Sequence, residues 1–100
     1  MTVYSIWESR FPAEAADEGR AVTEAIWRDM PAVDGYLGYE LLIDADDPGH
    51  LLVLGQWETQ KHADEVLGAY AQHPNAQTAN RLVTEPRRRF VASRASADLG

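Results

Sequence analysis

Tyr70 and His73 are the residues of this chain best suited to moving a proton. They stand three apart, close neighbours on a helix surface, and Val66 falls on the same side. A phenol and an imidazole facing an apolar pocket can exchange protons with a bound phenolic or enolic ligand, because histidine titrates near neutrality. The alternative is a tyrosine with its ring buried and its hydroxyl wet, and a histidine that helps to end the helix before Pro74. The other two histidines, His62 at a helix start and His50 beside a turn, are expected to be solvated. Three histidines without an i, i+4 pair or a His-x-His pattern, in a chain without cysteine, argue against a bound metal. Gly35 and Gly38 lie at a strand start with no helix behind them, so they make no phosphate loop. No serine elbow occurs either. Two kinds of role are left: the ligand supplies the reactivity, or the domain only binds.

Tryptophan is the second chemical resource, with three copies in 100 residues. Trp57 closes a strand and shares a face with Val53 and Leu51. Trp27 sits at the edge of a helical apolar stripe, beside Thr23, and Trp7 lies mid-strand. Trp27 and Trp57 are read either as core or interface aromatics or as pocket walls, and Trp7 as a core or interface aromatic.

The elements that must position these residues are set by periodicity. Residues 2–11 alternate, with Val3, Ser5, Trp7 and Ser9 against Tyr4, Ile6, Glu8 and Arg10, which predicts a strand. Pro12 and three acidic residues open a helix whose stripe is Ala15, Gly19, Val22, Ile26 and Met30, ended by Pro31. Residues 35–58 read as a hairpin with its acidic tip at Asp46, Asp47, Pro48 and Gly49. Leu37, Tyr39, Leu41 and Ile43 share one face of its first strand; Tyr36, Gly38, Glu40 and Leu42 share the other. Thr59 is a cap for a helix over 60–72 with Ala63, Val66, Leu67 and Tyr70 inward. A short helix over 75–83 and a last strand over 87–94 follow.

The order β-α-β-β-α-(α)-β predicts an α+β, ferredoxin-like fold: a four-stranded antiparallel sheet with its helices on one face. Residues 1–95 are expected to form one domain and 96–100 a frayed tail. Neither hairpin face is polar, so the side without helices needs a cover, and a symmetric homodimer supplies it.

Residues 1–50 carry 11 acidic and 3 basic groups, and the whole chain is at −7. That charge excludes nucleic acid as the expected partner. The one basic cluster, Arg87-Arg88-Arg89, is read as answering the acidic half of this chain or of a second copy. No leader-like segment or membrane-length apolar run is seen, and the chain is read as soluble and cytoplasmic.

With these elements in place, the chain resembles the antibiotic biosynthesis monooxygenase family of dimeric α+β barrels over residues 2 to about 95. The carriers are the element order, Pro31 through Gly35-Tyr36-Leu37-Gly38, and Gly55-Gln56-Trp57-Glu58-Thr59 opening the second helix. The resemblance implies a homodimer with one apolar pocket per chain between sheet and helices. It also implies oxidation of a phenolic, polyketide-type ring by O₂ with neither metal nor organic cofactor. Trp57 matches the family's strand tryptophan and Trp27 its helix tryptophan, while Arg81 lies close to the place of an arginine in the last helix. The family's asparagine four residues before the strand tryptophan is Val53 here, and its tyrosine six residues after is Ala63. On this reading His73, Tyr70 and Trp57 are catalytic, and Trp27, Val53, Val66 and Arg81 bind the ligand.

Two rival readings use the same pocket. Small polyketide cyclases of similar fold have a His-Pro before a short helix, echoed by His73-Pro74-Asn75. A non-catalytic dimer that binds a small apolar ligand is the other. The haem-degrading branch fits less well, since Trp7 stands where it looks for an asparagine.

Overall fold

The computed structural model describes residues 2–95; the expected tail, 96–100, lies outside them. Its elements are β1 (Val3–Arg10), α1 (Ala16–Arg28), β2 (Tyr36–Asp44), β3 (Asp47–Trp57), α2 (Gln60–Gln72), α3 (Ala76–Leu82) and β4 (Arg88–Ser93). The strands form one antiparallel sheet in the order β2-β3-β1-β4. This is the ferredoxin-like arrangement, with β1 and β3 central. Alternation decides the two faces. Ser5, Trp7 and Ser9 of β1 and Leu51, Val53, Gly55 and Trp57 of β3 are buried beneath the helices. Ile6, Leu52 and Leu54 look the other way and are only half-buried. Leu42 and Phe90 on that open face are 45% and 50% exposed.

Aromatic packing runs through the core. Trp27 lies edge-on to Trp7 (6.1 Å between centroids) and 6.4 Å from Trp57, whose ring meets Tyr36 at 5.8 Å. Gly55 makes this possible: a Cβ there would stand 2.6 Å from Ser5 Oγ and 2.9 Å from the Trp27 ring. Trp27 is therefore central to the helix stripe and fully buried, not at its edge.

The structure departs from the expected layout at four places. The first helix stops at Arg28, and Met30–Ala32 form a 3-10 turn. Pro31 cannot donate to Trp27 and disfavours α geometry at Met30, so the chain tightens before the proline. The hairpin turns at Ala45-Asp46, the near end of the expected Asp46–Gly49 tip, and Asp47, Pro48 and Gly49 already belong to β3; Asp44 pairs with Asp47 and its carboxylate accepts from the Asp46 amide. A bulge between Tyr36 and Gly38 puts Tyr36 opposite Trp57, on the Tyr39 face, and leaves Leu37 exposed. Leu67, expected inward, is 45% exposed at the rim of the cavity described below.

Gly35 holds the entry to β2. Its φ of +80° is a left-handed conformation, and a Cβ would meet the His62 ring at 2.1 Å. Thr59 caps α2 as expected, accepting the His62 amide at 3.2 Å. No helix among the described residues is long and apolar enough to cross a membrane.

Candidate functional site

A cavity of about 710 Å³ opens between the sheet and the two C-terminal helices. Leu67, Tyr70 and Ala71 come from α2, Ala76, Gln77 and Asn80 from α3, and Val83 and Pro86 from the chain after it. Trp7 of β1, Arg89 of β4 and Arg87 just before β4 complete the wall on the sheet side. Apolar surface, two aromatic rings, two amides and two cations thus meet in one hollow, the usual composition of a small-molecule pocket.

Its floor is a stacked pair. The Trp7 and Tyr70 rings lie 4.8 Å apart at 30°, joining the central strand to α2. Each ring carries a guanidinium: Arg87 stands 4.5 Å over Tyr70, and Arg89 5.2 Å over Trp7. Strand register explains the second contact, because Arg89 is the cross-strand neighbour of Trp7. Neutral acceptors hold both cations. Arg87 donates to Asn80 Oδ1, and Arg89 donates to the Ala63 carbonyl.

Burial pulls both guanidiniums below the usual arginine value; for Arg89 the Asp64 carboxylate opposes this. Arginine's ordinary value is so high that both stay charged at neutral pH. Two N–H donors at this wall, Trp7 Nε1 and Arg89 Nε, are buried without an acceptor.

The basic triplet therefore divides by face. Arg88 turns to the open side of the sheet and pairs with Glu8 at 3.6 Å, answering the acidic half of the chain. Arg87 and Arg89 turn inward to the cavity, which the expectation for the cluster did not include. The signal was present in the alternation that places Arg87 and Arg89 on the Val91 side. Trp7, read as a core aromatic, also lines the cavity.

Of the residues singled out in the sequence, Tyr70 lines the hollow. Trp27, Trp57, Val53 and Val66 are buried in the core that supports it. The indole N–H of Trp57 is committed to Ser5 Oγ at 2.9 Å, both groups being buried. Arg81 is exposed beyond the lining and reaches Thr78 Oγ1 at 3.5 Å. His73 also stands outside the lining. Its Nδ1 accepts the Asn75 amide at 3.1 Å, and its Nε2 meets Asp29 Oδ2 at 2.7 Å. The cavity thus brings Tyr70 together with Trp7, Arg87 and Arg89, not with His73. His50, expected to be solvated, bridges Glu8 (2.6 Å) and Asp44 (2.8 Å) and is only 13% exposed. Among the described residues no cluster of His, Asp and Glu has the form of a metal site.

The sequence profile described as antibiotic biosynthesis monooxygenase matches residues 2–82. Solved structures share the fold. Rv0793 from Mycobacterium tuberculosis is 23% identical with a TM-score of 0.74, over 94% of this chain and 95% of that one. A variant of SnoaB, a cofactor-independent oxygenase from Streptomyces nogalater, is 16% identical with a TM-score of 0.76, over 94% and 93%. A conserved protein from Methanosarcina mazei is 9% identical with a TM-score of 0.75, over 92% and 91%. No curated protein matches the chain in sequence.

Proposed function

Because the chain belongs to the antibiotic biosynthesis monooxygenase family, we propose that it oxidises an aromatic hydroxy compound with O₂ in the cavity above Trp7 and Tyr70. The observation that carries this reading is the stacked aromatic pair with one guanidinium against each ring. A flat ligand finds aromatic walls there, and its ionised hydroxyl finds fixed positive charge.

The chemistry follows from that placement. Loss of the hydroxyl proton makes the ring electron-rich, and the anion passes electrons to O₂. One oxygen atom becomes a ring carbonyl and the other leaves as water with two substrate hydrogens, so hydroxyarene plus O₂ gives quinone plus water. Arg87 and Arg89 lower the energy of the anion, and do so more strongly in an apolar hollow than in bulk water. The ligand's proton departs to water at the cavity mouth. Trp27, Trp57, Val53 and Val66 act beneath, holding the floor rigid. SnoaB, described as a cofactor-independent oxygenase, supports a reaction without metal or flavin here.

The homodimer belongs to the same reading. A second copy against Ile6, Leu42, Leu52, Leu54 and Phe90 hides the apolar face that one chain leaves open. Such an interface is expected to bury on the order of 1,600 Å² in total.

An oxygen electrode tests the activity. With an anthrone or naphthohydroquinone, enzyme-dependent uptake of one O₂ per quinone is expected, and ¹⁸O₂ labels the new carbonyl. Ligand turned over equally fast under nitrogen points instead to cyclisation. Ligand bound and returned unchanged in air ends the catalytic reading.

A further inference from the structure

The cavity holds more positive charge than one phenolate needs. Its lining contains two arginines and no aspartate or glutamate, in a chain whose net charge is −7. Arg10, Arg20 and Arg88 are each paired with a carboxylate. Among the described residues, no carboxylate lies within ion-pair distance of Arg87 or Arg89, although both are half-buried. Their anchors, Asn80 Oδ1 and the Ala63 carbonyl, fix them without neutralising them. Unpaired buried charge is costly, and a bound anion recovers that cost. The two buried donors without acceptors, Trp7 Nε1 and Arg89 Nε, add to the local excess of donors.

We infer that the ligand is a hydroxyaromatic acid, and that Arg87 and Arg89 divide its carboxylate and its ionised hydroxyl between them. This rests on the reading of the cavity as the ligand pocket. Separation of the two cations favours two separate anionic groups over a single phosphate. They occupy alternate positions of an extended chain, about 7 Å apart at the backbone. Each is pinned against its own ring and its own acceptor, so one tetrahedral anion cannot draw both to a point without breaking those contacts.

The test is titration calorimetry with 6-hydroxy-2-naphthoic acid and its amide, two probes alike in shape and different in charge. The wild type should bind the acid at least about tenfold more tightly at low salt, as expected for one charge-assisted contact. Of Arg87→Gln and Arg89→Gln, the one that removes the carboxylate's partner should abolish most of that preference and the other should weaken acid and amide alike, while Arg88→Gln, on the opposite face, should change neither. Should a glutamine variant fail to fold, the Lys replacement at that position retains the charge, and retained acid preference then supports the inference. Because arginine does not titrate between pH 6 and 8, the acid preference should be flat across that range. Equal affinity for acid and amide in the wild type overturns the inference, as does a preference that survives in both glutamine variants. Acid preference without oxygen uptake leaves this inference standing and ends the oxygenase reading. Oxygen uptake with no acid preference does the reverse.

Discussion

His73 Nε2 lies 2.7 Å from Asp29 Oδ2, a contact between residues 44 apart that ties the end of α2 to the end of α1. The Asn75 amide donates to the other ring nitrogen, so the proton of the imidazole is on Nε2 and points at the carboxylate. Both ring nitrogens are thereby used for holding the chain, at a point where α2 ends and Pro74 forbids continuation. Of the two readings open to the Tyr70–His73 spacing, the geometry matches the one in which His73 helps to end the helix, while Tyr70 lines the cavity.

His73→Ala should therefore cost about 1–2 kcal/mol of stability, the worth of two hydrogen bonds, one of them charge-assisted. Turnover should stay within about twofold. A urea melt and oxygen-uptake kinetics on the same variant decide it. A large loss of kcat with an unchanged midpoint would return His73 to the mechanism.

Trp57 and Ser5 make a second prediction. Trp57 is 0% exposed and its indole donates to a buried hydroxyl across the β1–β3 pair. Trp57→Phe keeps most of the ring but orphans Ser5 Oγ, at about 1–2 kcal/mol. Trp57→Ala opens a cavity and should cost about 3–5 kcal/mol. Chemical denaturation should rank the two in that order; equal and small losses would mean that the ring is not buried.

The His50 bridge predicts a pH dependence of stability. Hydrogen bonds to Asp44 and then Glu8 raise the imidazole above its ordinary value of 6.5. The same bonds hold Glu8 and Asp44 below their ordinary 4.5 and 3.8, with the Asp46 amide helping at Asp44. Arg10 faces the cluster from β1, where it also pairs with Asp47 and Glu85, and Arg88 faces it from β4. The histidine's contribution is whole below 6.5 and is lost as pH rises through its folded value. The carboxylates' contribution is whole above about 4.5 and is lost as pH falls through their folded values. Tm should thus be highest near pH 5–6 and decline toward pH 8, and His50→Gln should flatten the alkaline limb. A wild type and variant with parallel profiles would remove the bridge as the cause.

The open face gives the last prediction. Phe90→Glu places a carboxylate on the surface assigned to a second copy, where an unpaired buried charge cannot be accommodated. Light scattering should show the wild type at twice the chain mass and the variant at the chain mass, with far-ultraviolet circular dichroism unchanged. A wild type that remains a single chain at tens of micromolar would end the homodimer proposal.

Much of this architecture was legible in residue order. Alternation in β1 and β3 sorted their residues into two faces, because a strand has a strict period of two, but with apolar residues on both it left open which set the helices bury. Thr59 announced α2 since a β-hydroxyl can accept an otherwise orphaned amide. Where a single residue broke the period, as in the bulge at Leu37, alternation alone misplaced Tyr36.

The sequence by itself determined the strands, the helices, their order and hence that the helices share one face of the sheet, since each follows from contacts between near neighbours in the chain. Only the tertiary structure decided which side chains share the cavity. Trp7 meets Arg89 across 82 positions and His50 meets Glu8 across 42, through strand register that no local pattern encodes. A guanidinium's meaning rests on its partner: Arg88 found a carboxylate, and Arg87 and Arg89, one position to either side, were turned by the pleat toward a hollow that has none.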